Sequence, residues 1–157
     1  MKGMMVLERK INKLFKDFGI VAYCGERFEY SNSVVSFTPY FWDRLSRAHC
    51  EYIDKTFGID VRSSYFTFCI LHEIGHHYTL RNFTEEEIDN EIIIRKLLSF
   101  CEKDPKEIND AYFNLPIEEE ATKWALEYMV NHVSWVNRVN RLCCDALRHY
   151  FKVNGWG

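Results

Sequence analysis

One stretch constrains this chain more than any other. Ser64-Tyr65-Phe66-Thr67-Phe68-Cys69-Ile70-Leu71 runs without a helix breaker into His72-Glu73-Ile74-Gly75-His76-His77-Tyr78. A long apolar run of this kind predicts a buried helix from Ser63 or Ser64 through Tyr78. On that helix His72 and His76, four residues apart, stand one above the other on one face. Two imidazoles so placed can reach one metal ion at the roughly 2.0–2.1 Å of a zinc–nitrogen bond. Glu73 lies one step around the helix, so it can face a water at the metal without ligating the metal. A carboxylate there can take the proton of a water that zinc has made acidic. The spacing is the H-E-x-x-H pattern of metallopeptidases. The apolar flanks bury the pair, and a buried imidazole without a partner is costly.

A catalytic zinc needs three protein ligands and an open position. The metzincin extension would require Gly at 79 and His at 82, but Thr79 and Asn82 stand there, which excludes that class. The six cysteines form no C-x-x-C pair, so a cysteine zinc site is not expected and the thiols read as reduced and mostly buried. The remaining candidate is the helix opened by Pro116, where Glu118, Ala121, Thr122 and Ala125 share one face. A carboxylate followed by small residues suits close packing against a second helix with a metal between. Glu119 and Glu120 point elsewhere. An acidic first turn is also what the helix dipole favours, but that does not account for Ala121 and Ala125 lying in register with Glu118.

The rest of the chain reads as one domain over 1–157, mainly helical, of α+β class with a small N-terminal β-sheet. Leu7, Ile11, Leu14, Phe15 and Phe18 predict a first helix stopped by Gly19. Short strands follow at Ile20–Tyr23, Arg27–Tyr30 and Val34–Phe37. Thr38-Pro39 predicts the start of a second helix, with Phe41, Leu45, Ala48, Tyr52 and Ile53 inward and Gly58 at its end. Thr84 and Glu87 form a capping box for a fourth helix, Asp104-Pro105 opens a short one toward Phe113, and a last helix begins near Ser134. The 157 residues carry a net charge of −3, which disfavours a general nucleic-acid binder. No run of 18 apolar residues suggests a membrane span. The N-terminal stretch lacks the apolar core of an export signal, so a cytoplasmic location is expected.

Arg62, Phe66-Thr67, His72-Glu73-Ile74-Gly75-His76 and the later Glu118-Glu119-Glu120-Ala121-Thr122-Lys123-Trp124-Ala125 together resemble the ImmA/IrrE-type zinc peptidases. Thr122 stands where that family has Asn, and Glu127-Tyr128-Met129-Val130 stands where it has Leu-Leu-Met-Pro. The resemblance implies a compact zincin-like fold with H-E-x-x-H on a central helix. It implies zinc held by His72, His76 and Glu118, with Glu73 as the catalytic base. It also implies an endopeptidase acting on a regulatory protein, such as a helix-turn-helix transcriptional repressor of a phage or mobile element. A SprT-like zinc peptidase acting on DNA-associated proteins is one rival; it would want a third histidine, such as His132, and a basic surface. A non-catalytic zincin-like binding module is another, and it would have no use for Glu73.

Peptide hydrolysis also needs a donor to the developing oxyanion. Tyr78, His77 and His132 are the candidates, and each reads more readily as structural. His49 and His149 are expected to be partly exposed on amphipathic helices. Val34–Phe37 reads equally as a sheet edge for an extended peptide and as an ordinary core strand. Arg138, Arg141, Arg148 and Lys152 read as a solvated outer face of the last helix.

Overall fold

The computed structural model describes residues 3–155. Turn residues cut its first third into short pieces. Helix α1 (Met4–Leu14) buries Leu7 and Ile11, and a short 3-10 turn (Lys16–Phe18) ends at Gly19, whose φ of 70° favours glycine. Strands β1 (Val21–Cys24), β2 (Glu29–Ser31) and β3 (Val34–Phe37) follow. Asn32 and Ser33, at φ 48° and 64°, make the tight turn that folds β2 back on β3.

The sheet order is β1-β3-β2, with β1 parallel and β2 antiparallel to β3. Of the two readings of Val34–Phe37, peptide-binding edge or core strand, the structure bears out the second: β3 is the central strand, with Val35 and Phe37 fully buried. The outer side of β1 is closed by α1. Asn12 acts as a substitute strand, its Nδ2 donating to the Ala22 carbonyl and its Oδ1 accepting from Ala22 N at 2.8 Å. Glu8 Oε1 accepts from Cys24 N at 2.8 Å. Among the described residues, β2 is the edge not capped in this way.

Helix α2 (Arg44–Phe57) starts later than the Thr38-Pro39 signal predicts. Asp43 and Ser46 form a reciprocal capping box, which fixes the helix start at Arg44 and leaves Phe41 in the preceding loop. Leu45, expected inward, is exposed. Helix α3 (Tyr65–Thr79) carries the His–Glu–His motif and is buried almost throughout. Helices α4 (Glu85–Ser99), α5 (Pro105–Phe113), α6 (Pro116–Asn131) and α7 (Val133–Val153) complete the chain. Both predicted caps, Thr84 with Glu87 and Asp104, are present. The architecture is mainly helical with one small sheet, in keeping with the α+β class. No helix among the described residues is long and apolar enough to cross a membrane.

The buried side chains form one core around α3, which meets the sheet, α6 and α7. Small residues set the closest approach. A Cβ on Gly75 would lie 2.6 Å from the backbone oxygen of Ala121, which is itself fully buried. Gly75→Ala is therefore expected to push α3 and α6 apart. The cost should be roughly 1–3 kcal/mol, as for other overpacked cores, read as a fall in urea midpoint of the metal-free protein. An unchanged midpoint would mean that the helices are not held at this distance.

Candidate metal centre

The close approach at Gly75 brings the acidic end of α6 against the imidazoles of α3. His72, Glu73 and His76 are buried, and one nitrogen or oxygen of each lies within 4.8 Å of the others, a group that could hold a metal ion. Glu118, also buried, reaches the same place from α6. Its Oε2 lies 2.9 Å from His72 Nε2 and its Oε1 lies 3.4 Å from His76 Nε2. Neighbouring ligand atoms of a tetrahedral zinc stand about 3.3 Å apart, given bonds of about 2.05 Å. Both Nε2-to-carboxylate distances are thus already close to ligand spacing, and the nitrogen–nitrogen–oxygen set suits a borderline-soft divalent ion. Glu119 and Glu120 face away and pair with Lys123 at 3.1 and 3.6 Å.

Side chains behind the cluster hold it in place. Thr122 Oγ1 lies 3.1 Å from His72 Nδ1. With Nδ1 engaged by that hydroxyl, the Nε2 edge of the ring is the one turned to Glu118, to which it donates. Arg95 of α4 donates from Nη2 to Glu118 Oε1 at 2.5 Å and to Glu91 Oε2 at 3.1 Å. Glu91, buried in turn, accepts the backbone N–H of Ile117 at 2.8 Å, so it caps the first turn of α6.

The electrostatics follow from this packing. Burial opposes ionisation of Glu118, but hydrogen bonds from His72 and His76, and their charge, hold its carboxyl well below the ordinary range. Burial raises Glu73 above the ordinary carboxylate range, with the two histidines pulling the other way. Burial likewise works against a charged His72, yet Glu118 overcomes it and its pKa rises.

Two cavities of about 440 and 330 Å³ flank the cluster and share Glu73, Glu118, Arg27, Phe28 and Tyr112. The larger lies between β2 and α4. Strand β2 is anchored there because Tyr30 Oη pairs with His77 Nδ1 at 2.9 Å. The smaller reaches α2, where it is lined by His49.

His49 is partly exposed, as its helix pattern predicts, but its ring is held by specific contacts. Its ring stacks on Phe113 at 4.4 Å, and its Nδ1 pairs with Tyr65 Oη at 3.0 Å. Burial, and then the charge of His72, lower its pKa from 6.5 to about 3. The unfolded chain therefore takes up a proton below about pH 6.5 that the folded chain refuses until about pH 3, and stability falls as pH drops through that window. Between pH 7.5 and 5 wild type is expected to lose on the order of 2 kcal/mol more than His49→Phe, as measured by urea unfolding. Parallel losses in the two proteins would refute the assignment.

The three histidine and tyrosine candidates for an oxyanion donor are engaged elsewhere. Tyr78 Oη donates to the Phe18 carbonyl at 3.2 Å, His77 holds Tyr30, and His132 stacks on Tyr128 at 4.0 Å. Tyr112, which the sequence did not single out, lines both cavities beside Glu73 and Glu118. Arg95 and Glu91 were likewise not anticipated. Their i, i+4 spacing marks a helical pair, but no local signal shows that the pair reaches Glu118.

Comparison with protein-family models, with characterised proteins and with solved structures gives no match. The functional reading rests on the site itself and on the motif resemblance.

Proposed function

We propose that the chain is a zinc-dependent endopeptidase with a zincin-like architecture, using His72, His76 and Glu118 as ligands and Glu73 as general base. The observation that carries the reading is the contact of one buried Glu118 carboxylate with the Nε2 atoms of both motif histidines. Bound zinc would supply Lewis-acid polarisation of the peptide carbonyl and a more acidic water.

The chain's own residues supply the rest. Glu73, whose pKa burial raises above the ordinary carboxylate range, takes a proton from the attacking water and returns it to the leaving amine. Thr122 orients the His72 ring, and Arg95 with Glu91 holds Glu118 against the ligand pair. The Tyr112 hydroxyl is the donor best placed by the cavity lining to face the polarised carbonyl. Strand β2 borders the larger cavity, and its outer edge offers backbone groups for an extended peptide to pair with. These features support a protein substrate, and the motif resemblance narrows it to a regulator such as a helix-turn-helix repressor. The SprT-like alternative gains no support from His132, which is exposed and stacked on Tyr128.

The test is metal analysis of the purified protein together with digestion of a degenerate peptide mixture, read by mass spectrometry. Expected are one zinc per chain and cleavage that chelation abolishes and zinc restores. Protein that takes up no metal under zinc supplementation would remove the proposal.

A further inference from the structure

The smaller of the two cavities beside the metal cluster has no task in the chemistry described above. At about 330 Å³ it stands at the low end for pockets that hold a ligand, so it takes one side chain and not a length of chain. His72, Glu73 and Glu118 form its buried inner end. Its walls are rings: Phe28, Phe41, Tyr65, Phe68 and Phe113, with the imidazole of His49. Tyr40 and Leu45, 58% and 52% exposed, carry the apolar surface out to the mouth.

The polar groups along these walls are engaged within the chain. His49 Nδ1 pairs with Tyr65 Oη at 3.0 Å. Asp43 Oδ1 accepts from the backbone N–H of Ser46 at 2.9 Å, and Ser46 Oγ donates to the Phe41 carbonyl. Thr38 Oγ1 accepts from Tyr40 N at 3.2 Å. Arg27 Nε donates to Glu29, which borders the other cavity, at 3.2 Å. A polar side chain entering here would give up its water without gaining partners, whereas an apolar one gives up nothing. The larger cavity differs, since Glu29, Glu91 and Arg95 line it.

We infer that the smaller cavity is a specificity pocket, which takes the aromatic side chain of the residue on one fixed side of the cut bond. The inference rests on the peptidase reading and names the substrate sequence that reading leaves open. Position follows from continuity: Glu73 lies in the lining, so a side chain seated there belongs to a residue at the reacting bond. An aromatic ring is favoured over an aliphatic chain because, among rings, it adds edge-to-face and offset contacts to its buried area. Arginine or lysine would find carboxylates at the mouth, Glu26 and Asp43, but both are exposed, and an ion pair in water is worth little.

The test reads binding as well as cleavage. Blocked alanine pentapeptides with phenylalanine, leucine, alanine or arginine in the middle are titrated into the metal-free full chain and followed by nuclear magnetic resonance. The phenylalanine peptide should bind tightest, about 10–100-fold better than the all-alanine one. Leu45→Glu should lower the preference for phenylalanine over arginine by about 5-fold or more, because it replaces apolar surface at the mouth with a carboxylate. Position 45 lies in the first turn of α2, where the helix dipole favours a carboxylate, so this variant should keep the wild-type melting temperature. In a degenerate peptide digest, wild type should show aromatic residues enriched on one side of the cut bonds. Cleavage without that enrichment, or with arginine preferred, would overturn the inference and leave the peptidase reading standing. Aromatic preference in binding with no cleavage would keep the pocket and remove the peptidase reading. Equal binding of all four peptides, or a preference untouched by Leu45→Glu, would overturn the pocket itself.

Discussion

Glu73→Gln is expected to leave zinc content at the wild-type level and to reduce peptide cleavage by about 10²–10⁴-fold, the usual contribution of a positioned general base. The substitution is nearly isosteric, and Glu73 is 8% exposed, so the amide occupies the same space. The Nε2 atoms of His72 and His76 and the carboxylate of Glu118 are untouched, which is why metal should stay. Stability should hold or rise, because burial already disfavours the ionised Glu73 carboxylate and the amide carries no charge. The measurement is metal stoichiometry beside initial rates on any peptide that wild type cuts. Wild-type rates in the variant would assign water activation to another group. Loss of cleavage with full biological activity would favour the binding-module reading instead.

What could be read in the sequence was whatever depends on neighbours along the chain. The unbroken apolar run from Ser64 fixed α3, and the four-residue spacing of His72 and His76 fixed a shared helix face. The register of Glu118 with Ala121 and Ala125 anticipated a tight helix contact, and the structure brings that carboxylate to both imidazoles. The partner glycine, Gly75, was inside the motif all along, but only the packed structure reveals that Ala121 leaves its Cβ no room.

The features that escaped the sequence depend on long-range packing. Strand order places β3 in the centre because β1 crosses over to its far side, and strand propensity carries no information about such a crossing. The start of α2 was decided between two local signals, Thr38-Pro39 and Asp43 with Ser46, and the reciprocal hydrogen bonds of the second prevailed. The ring of His49 is held in place because α5 delivers Phe113 onto it. Arg95 looks like an ordinary surface partner of Glu91 until α4 folds back over the first turn of α6.

Glu118→Ala is expected to lower zinc affinity more than about 100-fold, beyond the 10–100-fold that loss of a supporting residue usually costs. Glu119→Ala and Glu120→Ala should leave it unchanged, since both side chains turn outward to Lys123. Arg95→Met provides the intermediate case. It keeps the carboxylate but frees it from the guanidinium that also grips Glu91, so affinity should fall by about 10–100-fold. The order Glu118→Ala, then Arg95→Met, then the two outward glutamates at wild-type level separates a ligand from a residue that only orients one. Competition with a chromogenic zinc chelator gives all four constants in one format, without any substrate. Because Glu118 accepts from both histidines, its loss should also destabilise the metal-free protein, leaving two buried imidazoles without their acceptor. Full zinc retention in Glu118→Ala would disprove the ligand assignment and move the third ligand to Glu73, the other carboxylate of the cluster.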